Sequence, residues 1–220
     1  MRPPTRTATL LATAVVTALL FTGCAADSWS EPHAAPTPVG ALGAGFEPSA
    51  SPSPEATVVP RPGSWNDVRP SAGYRVVLIT AGDDKPTRTV VGAVERWAAD
   101  EDVDLRTVTV EANPLDAIVQ AMKLKPDLIV SAGNDLIDPL ATVTANHLDQ
   151  QFLVVGAEVA EPTENVTAVD WTGASFRGEG LGTSSTYDPE SFTAERCGAA
   201  VRAGVAAVLH DFTGIVLWID

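Results

Sequence analysis

Between residues 73 and 220 the spacing of apolar positions switches repeatedly between two periods. Residues 74–80 are nearly continuously apolar and β-branched, the pattern of a strand buried on both faces. A helix is predicted from Thr87 as cap to about Ala99, with Val90, Val94, Trp97 and Ala98 on one stripe. A second strand follows over 105–110. Asn113 then caps a helix that Pro114 starts, with Leu115, Ile118, Val119 and Met122 at i, i+3, i+4 and i+7. Residues 127–131 form a third strand. A helix over 136–148 turns Leu136, Ile137, Leu140, Val143 and Leu148 inward. Strands at 152–155 and 166–171, a long helix from Asp188-Pro189 to about His210, and a last strand at 214–219 complete the pattern. Strands alternating with helices of this length predict right-handed βαβ crossovers. The fold class is therefore α/β: a single Rossmann-like or flavodoxin-like three-layer domain with a mainly parallel sheet.

The first 72 residues follow neither period. Arg2 and Arg6 precede an uncharged apolar run from Leu10 to Phe21, which is the layout of a secretory signal and too short for a bilayer-spanning helix of about 20 residues. Leu20-Phe-Thr-Gly-Cys24 resembles the bacterial lipobox, so residues 1–23 are read as a lipoprotein signal peptide and Cys24 as the lipidated new N-terminus. That places the chain at the extracytoplasmic face of the cell membrane, held by lipid. Over residues 24–72, nine of the 17 prolines are interleaved with Ala, Ser and Gly. Such a composition predicts a disordered tether, with Trp65 the one residue suited to dock onto the domain that follows.

Charge narrows the partners. The chain carries 28 acidic and 14 basic residues, a formal charge of −14 that becomes two units more negative once Arg2 and Arg6 leave with the signal. So acidic a surface repels phosphate backbones, which excludes nucleic acid. With Cys24 assigned to lipid, Cys197 is left alone in a run of small residues and reads as a buried apolar side chain.

In an open parallel sheet, ligands bind outside the carboxyl ends of the strands where strand order reverses. The segments delivered there are 81–85, 111–113, 132–135, 156–158 and 170–172. They are rich in Asp, Asn and Glu, with Trp171 as their aromatic. Such a rim can hydrogen-bond a small polar solute and stack it on an indole. The candidate ligand-binding residues are Asp83, Asp84, Thr87, Ser131, Asn134, Asp135, Glu158, Asp170 and Trp171. Asp, Asn and Gly are equally the ordinary residues of turns and caps. No catalytic constellation stands out. The glycines at 178, 180 and 182 have the wrong spacing for a phosphate loop, the three histidines are scattered, and Asp100-Glu-Asp-Val-Asp104 lacks the glycine and terminal glutamate of a calcium loop. The expectation is a binder without cofactor or metal, not an enzyme.

Pro126-Asp-Leu-Ile-Val-Ser-Ala-Gly133, Phe152-Leu-Val-Val155 and Asn165-Val-Thr-Ala-Val-Asp-Trp171, with Arg177 and Glu179-Gly180 after them, resemble in order and spacing the basic membrane protein family of PnrA-like lipoproteins. The resemblance covers about residues 73–182. It implies one lobe of a type I periplasmic-binding-protein-like fold and the substrate-binding component of an ABC importer, with a nucleoside or similar small polar solute as ligand and an ABC permease as partner. Three departures accompany it. In the family's segment after the first strand only the acid is matched, within Asp84-Lys-Pro-Thr-Arg88. Gly156 stands where the family closes its fourth strand with aspartate, and Glu158 lies nearby. The family has two lobes and this chain has residues for one, so a homodimer could complete the site. The alternative is a single-lobe sensory or protein-interaction lipoprotein that has lost transport.

Overall fold

The computed structural model describes residues 29, 31–160, 162–174 and 186–219, of which 32 onward belong to one compact unit. Its strands are β1 (Pro38–Val39), β2 (Thr57–Val58), β3 (Arg69–Pro70), β4 (Arg75–Thr80), β5 (Asp104–Thr109), β6 (Leu128–Ala132), β7 (Gln151–Val155), β8 (Val166–Asp170) and β9 (Ile215–Trp218). Helices α1 (Lys85–Asp100), α2 (Pro114–Lys123), α3 (Ile137–Thr144) and α4 (Ala194–Leu209) connect them. Seven strands form one sheet in the order β2-β9-β8-β7-β6-β4-β5, every pair parallel. The predicted α/β class and parallel sheet are what the chain forms. Strands β4, β6 and β8 are buried along essentially their whole length, as their uninterrupted apolar runs require.

The helices cover two faces. Val76 and Leu78 of β4 pack in one cluster with Val90, Val94 and Trp97 of α1 and with Ala200, Val201 and Ala207 of α4. Ile118 of α2 and Ile137 and Leu140 of α3 are buried but lie outside that cluster, on the opposite face. Position and direction together fix the hand of each crossover. From β4 to β5 the chain steps one way along the sheet beneath α1. From β8 to β9 it steps the other way beneath α4, on the same face, so those two crossovers have opposite hands. The steps over α2 and α3 share the hand of the first. The expectation of uniformly right-handed crossovers is thus corrected for β8–α4–β9, which is left-handed. The right-handed rule rests on a tight helical return, and here more than twenty residues separate β8 from α4.

Local boundaries moved for identifiable reasons. Asp84, not Thr87, caps α1: its two carboxylate oxygens accept from Thr87 N at 3.0 Å and Thr87 Oγ1 at 2.8 Å. Helix α3 stops at Thr144 and leaves Leu148 exposed. The buried Asn165 amide donates to the carbonyls of Thr144, His147 and Gln150 at 2.9–3.1 Å, which holds the chain in a turn there. The expected long last helix is two pieces, a 3-10 turn at Pro189–Ser191 and then α4, which Thr193 caps through Arg196 N. Cys197 is fully buried in α4, and burial pushes its thiol up to about 11 from an ordinary 9.0.

The described part of the expected tether is packed onto the domain, not disordered. Strand β2 pairs with β9, Glu55 N donates to Gly214 O at 2.9 Å, and β1 pairs with β3. Phe46 and Trp65, 1% and 5% exposed, stand edge-to-face at 6.4 Å, and Phe46 meets Phe212 at 6.2 Å. Composition misleads here because a few large anchors supply the burial that the many prolines and serines do not. Cys24 and the signal lie outside the described residues, and no helix among those described is long and apolar enough to cross a membrane. Phe46→Ala is expected to destabilise the fold by about 3 kcal/mol in urea unfolding, as for a buried aromatic; a change near zero would restore the disordered tether.

Candidate functional site

Strand order reverses between β4 and β6, because the chain leaves β4 for β5 on one side and returns to β6 on the other. At the carboxyl ends of these two strands the backbones come so close that no side chain fits. Ala81 N donates to Ala132 O at 3.0 Å, and a Cβ on Gly133, which has φ 116°, would stand 2.2 Å from Ala81 O. Just beyond this seam lies a hollow of about 80 Å³. Its polar wall is Asp84, Thr87, Ser131, Asn134 and Asp135; its apolar wall includes Val154, Gly156 and Phe192, and Tyr187 stands at its side.

The structure brings together five of the nine sequence-predicted residues. Asp84 and Thr87 arrive from the start of α1, Ser131 from the end of β6, and Asn134 and Asp135 from a 3-10 turn at Asn134–Leu136. Ser131 is 3% exposed, whereas Asn134 and Asp135 are open to solvent. The other four do not line the hollow. Asp83 is exposed to one side. Glu158 and Asp170 are buried, and Asp170 Oδ1 accepts from Trp171 N at 2.8 Å.

Trp171 corrects the expectation most sharply. It is fully buried, its indole N–H donates to Ser191 Oγ at 3.0 Å, and its ring meets Phe192 edge-to-face at 5.0 Å. The indole serves as a floor beneath Phe192, not as a stacking surface. Gly156 makes this possible: it has φ 79°, and a Cβ there would lie 2.6 Å from Phe192 Cε1 and 3.0 Å from Trp171 Cη2. The absence of a side chain at Gly156 therefore admits the Trp171–Phe192 pair.

Tyr187 and Phe192 are the residues that sequence reasoning missed. Tyr187 is 41% exposed with its ring centroid 6.1 Å from that of Phe192. Partial burial first, and the neighbouring Asp84 charge second, hold its phenol above the ordinary 10.0, so the hydroxyl remains a donor at neutral pH. Lys85 Nζ donates to Glu190 Oε2 and ties the start of α1 to the Pro189–Ser191 turn beside these aromatics. Nothing in the period of residues 186–192 announces them; the signal available was two aromatics flanking an Asp-Pro turn. Among the described lining residues there is no His, Cys or Lys, and no cluster of His, Cys, Asp and Glu able to hold a metal is found among the described residues.

No protein-family model matches the chain, and no curated protein does. Among solved structures, a putative lipoprotein fragment from Peptoclostridium difficile 630 is 17% identical with a TM-score of 0.44, over 63% of this chain and 98% of that one. An ABC transporter solute-binding protein from Aeropyrum pernix K1 is 20% identical with a TM-score of 0.40, over 45% of this chain. GanP, a glucose-galactose binding protein from Geobacillus stearothermophilus, is 17% identical with a TM-score of 0.37, over 68% of this chain and 58% of that one. The match spans 29% of the Aeropyrum protein's length. Superpositions this loose assign no function.

Gly156→Ala forces a positive φ on an alanine and drives its methyl into Phe192. It is expected to cost about 1–3 kcal/mol in urea unfolding, with a changed near-ultraviolet signal from the Trp171–Phe192 pair. An unchanged spectrum and midpoint would show that the pair does not depend on this close approach.

Proposed function

We propose that the domain is the extracytoplasmic, lipid-anchored solute-binding component of an ABC importer, in the manner of the basic membrane protein family, and that it binds without turning over its ligand. The observation that carries the reading is the polar hollow at the point where strand order reverses. The carboxylates of Asp84 and Asp135 accept from solute hydroxyls, and the Asn134 amide both donates and accepts. Tyr187 offers the aromatic surface that Trp171 does not. Two nearby carboxylates disfavour an anionic ligand, so the class is an uncharged polyhydroxy solute, such as a free sugar or the ribose of a nucleoside.

Size limits the pose. The hollow of about 80 Å³ is several times the roughly 10–15 Å³ that one water needs on the same measure, so it takes one edge of such a solute. The remainder is left for a permease or a second copy of the chain to cover. That same small volume favours the second reading, a sensory or interaction lipoprotein with no transport role. Calorimetric titration with hexoses, pentoses and nucleosides is expected to give heat with at least one of them. Asn134→Ala should weaken that affinity about tenfold, the loss of one or two hydrogen bonds. No heat and no melting shift with any of these would overturn the solute reading. Recovery of a membrane sensor in place of a permease on affinity capture would favour the alternative.

The anchor is tested separately. Cys24→Ala is expected to release the exported protein into the medium. Membrane retention of that variant would overturn lipidation while leaving the site untouched.

A further inference from the structure

A second hollow lies at the other flank of the sheet. It is lined by Val59, which follows β2, by Ile219, which follows β9, by Trp65, and by Ala199 and the first turn of α4. Its volume is about 380 Å³, within the roughly 300–1,000 Å³ of small-molecule pockets. It shares no lining residue with the hollow at the seam. Much of its wall is apolar. Trp65 and Ile219 are 5% and 4% exposed, and Val59, at 64%, is the most exposed of the large apolar side chains described.

The charged residues that line this space are Glu195 and Arg196, and neither is in an ion pair among the described residues. Successive helical residues do not face each other, so the two charges border one volume without neutralising one another. Arg196 is half-buried, and its Nη1 donates to Ser191 O at 2.9 Å. That bond fixes the guanidinium and leaves its other N–H groups without an acceptor among the described residues.

We propose that this hollow binds a free α-amino acid with an apolar side chain, aromatic ones best. The Arg196 guanidinium takes the carboxylate, Glu195 takes the ammonium, and the side chain lies against Trp65. Charge excludes simpler occupants. An acid without an amine would meet Glu195, an amine without an acid would meet Arg196, and a neutral solute would cover both charges and pair neither. The volume admits the whole molecule, where the hollow at the seam takes only an edge. The proposal does not rest on what the seam hollow binds.

The test is calorimetric titration of the detergent-solubilised full chain with L-phenylalanine, and with phenylacetate and phenethylamine, which each lack one of its charges. Heat is expected with L-phenylalanine, and each analogue should bind about tenfold more weakly, because one charge covered by the ligand then has no partner. Glu195→Gln should weaken L-phenylalanine about tenfold and remove its advantage over phenylacetate. Ala199→Leu, which fills the hollow from the α4 side, should abolish the heat. Glu195 is exposed, so its variant decides the matter even where Ala199→Leu lowers the melting temperature. Arg196 is left unchanged, because Ser191, which it holds, also anchors Trp171 beneath Phe192. No heat with L-phenylalanine, an analogue that binds as tightly, or unchanged affinity in either folded variant would overturn the proposal.

Discussion

The seam between the ends of β4 and β6 is the constraint on which the rest of the molecule depends. Parallel strands have no hairpins, so each must be re-entered from the far end, and reversal of direction leaves a cleft where the two outgoing chains part. Here the cleft is narrowed until only a glycine fits, since a methyl on Gly133 would collide with the Ala81 carbonyl. The hydrogen bond from Ala81 N to Ala132 O closes the seam. Everything polar at the hollow is positioned from it: Asp84 three residues beyond Ala81, and Asn134 and Asp135 directly after Gly133. The carboxylate that would serve a ligand is also the one that caps α1, so the site and the first helix are held by the same atoms.

Small residues do a parallel task on the helical face. Helix α4 is rich in Ala and Gly, and a Cβ on Gly204 would lie 2.3 Å from Leu153 Cδ1. That closeness seats α4 over β7 and β8 next to α1, and it does so although the connection has the uncommon hand. A long excursion between β8 and α4 removes the steric reason for the usual hand, and close packing of small side chains then fixes where the returning helix lands. Phe46, Trp65 and Phe212 extend the same cluster, and β2 covers the strand edge that α4 leaves bare.

How far the sequence could be read follows from what each signal measures. Continuous β-branched runs report burial on both faces, and residues 75–80, 128–132 and 166–170 are strands as that pattern implies. Stripe width was less informative. At α2 the apolar positions outnumber those that the sheet can cover, and periodicity does not say which two of Leu115, Ile118, Val119 and Met122 remain outside. Composition failed over residues 38–70, because disorder is inferred from averages and packing is decided by a few anchors such as Phe46 and Trp65. Rim residues were legible where a loop is fixed by the seam, as with Asp84, Ser131, Asn134 and Asp135. They were not legible at strand ends, where a tryptophan stacked on a ligand and a tryptophan under a phenylalanine look identical in sequence.

That last distinction determines the chemistry available. With Trp171 sealed beneath Phe192 and its N–H satisfied by Ser191, the aromatic left at the opening is a phenol. A tyrosine differs from an indole in presenting a hydroxyl at the end of its ring, and partial burial first, with the Asp84 charge second, keeps that proton in place. The hollow thus combines fixed acceptors from the seam with a donor on a half-exposed ring from the opposite end of the chain. Tyr187 borders the same space as Asp84, Asn134 and Asp135, so donor and acceptors face one small volume whose polarity the aromatic pair beside it bounds.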